Sequence, residues 1–172
     1  MANTDPFRLA IMKRLTALLQ TIGPSTGYTV DMSDKVFRGR AVYGDSDPLP
    51  MIAIIEPPVP IEQLPSPLGS DGSTGQWHIL IQGFLADDPK NPTDPAHFLA
   101  AQVRQVLVNH RVSRSDPEVG MFGTGSRASR VDDIFIGAPV VRPPDEISAK
   151  AYFWLPVNLE VHEDLSDPLN YK

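Results

Sequence analysis

Four histidines and a crowded run of carboxylates are the groups in this chain with chemistry to offer. His78, His97, His110 and His162 lie far apart. None falls in the HxxxH, HxH or HExxH spacing that would bring two imidazoles to one face of a local element and hold a metal there. His78 and His162 sit in two strand-like runs and meet only if those runs pair across a sheet. Joined by Asp87 or Asp88, they would make a small histidine-dependent hydrolase, the remote alternative for this sequence. The two aspartates belong to the stretch QGFLADDPKNPTDPAHFL, residues 82 to 99. Adjacent carboxylates in a strand point to opposite faces, so this pair cannot share a proton as an acid/base couple unless the strand has already ended. DDPKNP is turn chemistry. TDPA at 93 to 96 repeats TDPF at 4 to 7, which predicts Asp5 and Asp94 as helix N-caps, their carboxylates favoured by the helix dipole. The acidic stretch is expected to be a joint. With no cysteine and no GxSxG motif, the sequence offers no thiolate ligand and no serine elbow. The expectation is a protein with no catalytic residue, metal site or cofactor.

GMFGTGSRASR, residues 120 to 130, has the glycines of a phosphate-cradling loop. It lacks the P-loop lysine, and no convincing strand leads directly into it. It is expected to be a surface loop that presents Arg127 and Arg130 to acidic partners.

Net charge is −6, which argues against general affinity for nucleic acid or anionic membrane, both driven by clustered cations. The balance is uneven. Between residues 101 and 131, Arg104, Arg111, Arg114, Arg127 and Arg130 face only Asp116 and Glu118, whereas the C-terminal segment carries Glu163, Asp164 and Asp167. Such patches attract one another between neighbouring copies. The expectation is that Arg111, Arg114, Arg127 and Arg130 meet the acidic tail of the next copy, or face DNA passing through a lumen. Apolar runs such as MIAII and AYFWL fall far short of the ~20 residues that cross a bilayer. The opening MANTDPFRLAIMKRL has an aspartate where a secretory leader would be basic, and its apolar residues are periodic, so it reads as a helix of a soluble protein.

The elements that would position these groups follow from periodicity. Phe7, Ile11, Leu15, Leu18 and Ile22 recur at steps of four and three, the stripe of an amphipathic helix over 6 to 22, with Pro6 at its first turn. A second helix is predicted over 94 to 109 on Leu99, Val103, Val106 and Leu107. Short strands are predicted near 28 to 31 and 36 to 43, a buried one at 50 to 56, and a strand packed on both faces at 76 to 86. Residues 110 to 131 look irregular, and IFIGAPVV gives one or two short strands. The last strand alternates clearly, with Phe153, Leu155, Val157, Leu159 and Val161 on one face. Pro156 has no N–H to donate, which predicts an edge or bulge there, exposing Trp154, Pro156 and Asn158 to another chain. The chain holds 18 prolines, about twice the usual ~5 %, and these read as stiff connectors. The fold class is α+β: a mostly antiparallel sheet packed by two amphipathic helices, with long proline-rich loops. One domain spans 1 to 172, with a loop at 57 to 75 and a C-terminal arm at 163 to 172 extending from it.

The opening helix, the PMIAIIEPP strand, the GQWHILIQGFLADDPKNPTDPAHFL strand-to-helix passage and the final YFWLPVNLEVHEDLSDP strand, taken in order, resemble the tail terminator proteins of long-tailed bacteriophages. The resemblance runs over most of the chain and rests on element order and turn style. It implies a structural virion subunit, assembled in the bacterial host cytoplasm, that forms a ring of six copies. Such a ring caps the tail tube and joins it to the neck or head-completion protein. The nearest alternatives are another neck component, such as a head-completion or adaptor protein, or a tail tube subunit. A monomeric binding module is a third class.

Overall fold

The computed structural model describes residues 5–44, 46–58, 72–113, 121–123, 129–146 and 149–169. Most of the predicted loop at 57 to 75, Arg114, Arg127 and the last three residues lie outside that set. Helix α1 (Phe7–Gln20) and helix α2 (Asp94–Val112) cover one face of a six-stranded sheet. The strands are β1 (Val36–Arg38), β2 (Met51–Ile55), β3 (Gly72–Phe84), β4 (Arg130–Ile136), β5 (Val140–Arg142) and β6 (Tyr152–Asp164). Their order across the sheet is β1-β2-β3-β6-β4, with β5 also pairing β6. Only β1 and β2 run parallel; every other pairing is antiparallel. This is the α+β class expected from the sequence.

The longest ladder joins β3 and β6, in register from Gly72 with Asp164 to Phe84 with Tyr152. Alternation sends Trp77, Ile79 and Ile81 of β3 and Phe153, Leu155, Val157, Leu159 and Val161 of β6 to the helix side, where all are buried. The helices answer with Phe7, Ile11, Leu15 and Leu19 from α1 and Leu99, Val103, Val106 and Leu107 from α2. Leu18, expected on the buried stripe of α1, is only partly buried, and Leu19 takes its place because the stripe drifts around the helix with its 3.6-residue period. Burying each such aliphatic side chain contributes roughly 1.5–3 kcal/mol, so this layer is the main source of stability.

Several sequence expectations are revised by the coordinates. Strand β6 is not an edge. It pairs β3 along one side and both β4 and β5 along the other. Proline is tolerated because its neighbours on that side leave a gap: β4 ends at Ile136 opposite Val157, and β5 begins at Val140 opposite Trp154. The Pro156 carbonyl accepts from the Gly137 N–H at 2.9 Å, so the proline nitrogen also faces that gap, where no ladder bond is lost. On the other side of β3, β2 pairs only Leu80 to Phe84 among the described residues. Residues 72 to 75, expected in the loop, are strand, and so are Glu163 and Asp164, expected in the arm. Residues 28 to 31 form no strand, and β1 is confined to three residues.

The helix starts also differ from expectation. Pro6 precedes α1 and Thr93 precedes α2, and neither makes a side-chain capping bond. Asp5 receives the Lys13 ammonium at 2.8 Å, and Asp94 is the first residue of its helix, where its charge still meets the dipole. A donor at the start of α1 is satisfied from the other end of the chain, by the Phe7 N–H donating to the Pro168 carbonyl at 3.1 Å. The next residue, Arg8, donates to Glu163 with Nε at 2.9 Å and Nη2 at 2.6 Å, and its guanidinium lies over the Trp77 ring. The segment after β6 is thus tied back onto α1.

Gly83 faces the ring of its register partner Phe153, and a β-carbon there would lie 2.0 Å from the Phe153 Cε1. That ring is fully buried. Gly83→Ala is therefore expected to cost ~1–3 kcal/mol by overpacking, read as a lower urea midpoint; an unchanged midpoint contradicts this packing.

Candidate functional site

The register separates the groups that would make a hydrolase. Thr74 pairs His162 and His78 pairs Asn158, so the two imidazoles stand four residues apart along the sheet, about 13 Å at strand spacing. His78 Nδ1 lies 2.7 Å from Asn158 Oδ1, and His162 lies beside Thr74 and 3.7 Å from Asp132. Asp87 is past the far end of β3, where it accepts from the Ala151 N–H at 2.6 Å. Asp88 accepts from the N–H groups of Asn91 and Lys90 at 2.7 and 2.8 Å, bonds that lower its pKa and close the turn into α2. The acidic stretch is a joint in the structure too. Among the described residues, no group of three histidine or carboxylate side chains is placed to hold a metal ion.

The arginines expected to reach another copy are engaged locally where they are described. Arg111 forms a two-point pair with Asp133 at 2.8 Å and lies over the Phe135 ring. Arg130 bonds Asp132 at 2.6 Å. Glu163 is buried against Arg8, and Asp164 accepts from Ser166 while its own N–H donates to Ser129. Asp167 is half-buried. Within the single chain, Arg111, Arg130 and Glu163 thus each have a charged partner. Those pairings also shield the outer edge of the sheet. Arg111 reaches from the helix layer to Asp133 and Phe135 of β4, and a bulge interrupts β4 between Val131 and Asp133. Charged side chains and bulges both discourage strand addition.

A cleft of about 340 Å³ lies between residues 41 to 44 and the sheet, lined by Tyr43, Asp47, Leu49, Met51 and Phe84. Its polar groups are already engaged. The Tyr43 hydroxyl donates to the Arg40 carbonyl and lies 3.2 Å from Gln82 Oε1, and burial pushes its pKa to about 12. Asp47 pairs with Arg40 and accepts from the Gly44 N–H. Tyr43, Phe84, Tyr152 and Trp154 form a small aromatic cluster that covers this end of the second sheet face.

Beyond that cluster, no helix among the described residues packs on the second face. Leu80 and Trp154 are half-exposed, Pro156 is exposed, Phe135 is 45 % exposed and Val140 is 50 % exposed. Register places Ile55, Leu80 and Pro156 in one row, with Trp154 and Val140 in the row on one side of it and Phe135 beside Asn158 in the row on the other. They form one apolar patch with Glu160, Gln76 and His78 along its border. A second bare apolar surface runs along the outside of α2, where Phe98 is 66 %, Val108 45 % and Val112 78 % exposed. These residues lie off the buried stripe of α2, at a helical spacing already visible in the sequence. These two surfaces are the candidate functional site.

A scan against protein-family models finds no match, and a search of curated proteins finds none either.

The described turn Met121–Gly123 makes an unpredicted contact. Phe122, in a left-handed conformation (φ 68°), donates its N–H to His110 Nε2 at 3.2 Å and tilts its ring against the imidazole. An accepting Nε2 carries no proton, and burial lowers the His110 pKa below the ordinary 6.5. Between that lowered value and 6.5 the unfolded chain binds more protons than the folded one, so stability rises with pH. The contribution is full above 6.5 and is lost as acid passes through the folded value. Urea unfolding followed from neutral to mildly acidic pH should show this loss, and His110→Leu should flatten it; an unchanged slope in that variant contradicts the assignment.

Proposed function

We propose that this chain is a structural subunit of a phage virion, a tail terminator that assembles with copies of itself into a ring of six. The ring caps the tail tube on one side and meets the neck or head-completion protein on the other. The observation that carries this reading is the sheet's bare second face. A subunit that worked alone would gain by covering Leu80, Pro156, Phe135 and Val140 or by making them polar, whereas a subunit completed by neighbours keeps them. The element order behind the resemblance supports it further: an opening helix, a short buried strand, a long strand leading into the second helix, and a long final strand. Among the described residues, no helix is long and apolar enough to cross a membrane. Arg111 and Arg130 are balanced by Asp133 and Asp132, so they carry little free charge toward DNA in a lumen.

Negative-stain imaging with native mass spectrometry, on the protein alone and mixed with tail tube protein, tests this directly. Rings, six-fold and seated on tube ends, are the expected result; a monomer in both samples at micromolar concentration overturns it.

A further inference from the structure

The outside of α2 carries Phe98, Ala101, Gln105, Val108 and Val112 at steps of three, four, three and four. This is the spacing by which a helix presents one continuous seam to a partner. It is separate from the seam that α2 buries in its own core, which uses Ala96, Leu99, Val103, Val106 and Leu107. Arg104 lies beside the outer seam, exposed and with no acidic partner among the described residues. The bare sheet face lies on the opposite side of the subunit, because the helices pack on the other face of β3 and β6. At its border stands Glu160, between Gln76 and Asp133.

Two apolar surfaces lie back to back, one bordered by the Arg104 cation and one by the Glu160 carboxylate. We propose that the outer seam of α2 in one copy seats on the bare sheet face of the next copy, with Arg104 against Glu160. This rests on the ring-subunit reading and names the surfaces that close the ring. The contact repeats between copies the helix-on-sheet packing that forms each copy's own core. Because the surfaces differ and face opposite ways, the contact is head-to-tail. It therefore builds a closed ring or an open filament, not a two-fold dimer. Pairing of two α2 seams about a two-fold axis is disfavoured, since antiparallel helices crossing at Gln105 would bring Arg104 toward its own copy.

The test uses the intact protein and two exposed-site variants. Phe98→Glu/Val108→Glu spoils the seam and Phe135→Glu/Val140→Glu spoils the sheet face, with circular dichroism and thermal melting checking that each stays folded. By sedimentation velocity, under conditions where the wild type assembles, each variant alone is expected to remain monomeric. A one-to-one mixture of the two is expected to give a discrete dimer, because one intact seam and one intact face remain. If either variant misfolds, Arg104→Glu and Glu160→Arg replace them. Each is expected to weaken assembly at least tenfold, and the double variant to restore it. Variants that assemble like the wild type, or a mixture that stays monomeric, overturn the proposed contact and leave ring formation standing. A wild type that never assembles, alone or with tube protein, overturns both.

Discussion

Everything in this structure hangs on the ladder between β3 and β6. It joins residues some 80 positions apart in the chain, so its loop-closure cost falls early in folding and must be offset by what the pairing then buries. The return comes on the helix side, where the alternating apolar residues of the two strands form the floor on which α1 and α2 settle. The smaller strands are additions to this pair: β2 extends β3 and carries β1, while β4 and β5 share the far side of β6. Even the closure of α1 by Pro168 and the Arg8 to Glu163 pair depend on β6 running its full length. Shortening that strand would release the C-terminal segment and the start of α1 together.

The same ladder explains why this subunit offers faces more than edges to its surroundings. One outer strand is three residues long, the other is bulged and clasped by Arg111, and neither is a good template for strand addition. A long stretch of β3 has only one strand partner among the described residues, but it is mainly glycine, serine, threonine and glutamine at its outer end. The apolar surface left over is on the second sheet face and on the outer side of α2. Side-chain packing, with its dependence on shape, then decides which copy meets which.

Local signals were legible in the sequence where one periodicity dominated. Both helices, the buried run of β2 and the alternation of β6 follow from residue spacing, and the turn at Asp87 and Asp88 follows from proline and aspartate chemistry. What failed was information that resides in register. Pro156 correctly announced a missing ladder bond, but only the pairing of β4 and β5 shows that the bond is missing inside the sheet and not at its border. The Arg8 to Glu163 pair joins positions 155 apart and leaves no trace in either neighbourhood. Asp5 and Asp94 had the right residue type and the right proline beside them, yet helix starts shift by a residue or two, and Lys13 gave one carboxylate a different partner. The outer seam of α2 was visible as spacing, but spacing alone does not say which of two apolar stripes the core takes.

Because the chain has no cysteine, single thiols can be placed at will to ask which surface of one copy touches which surface of the next. Arg104→Cys and Glu160→Cys, prepared separately, mixed, assembled and treated with a short thiol cross-linker, should give covalent dimers joining 104 of one copy to 160 of another, with neither residue linked to itself. Assembled protein that yields only 104-to-104 or 160-to-160 products, or none, would contradict the idea that the bare face of the sheet is completed by the helix of a neighbouring copy.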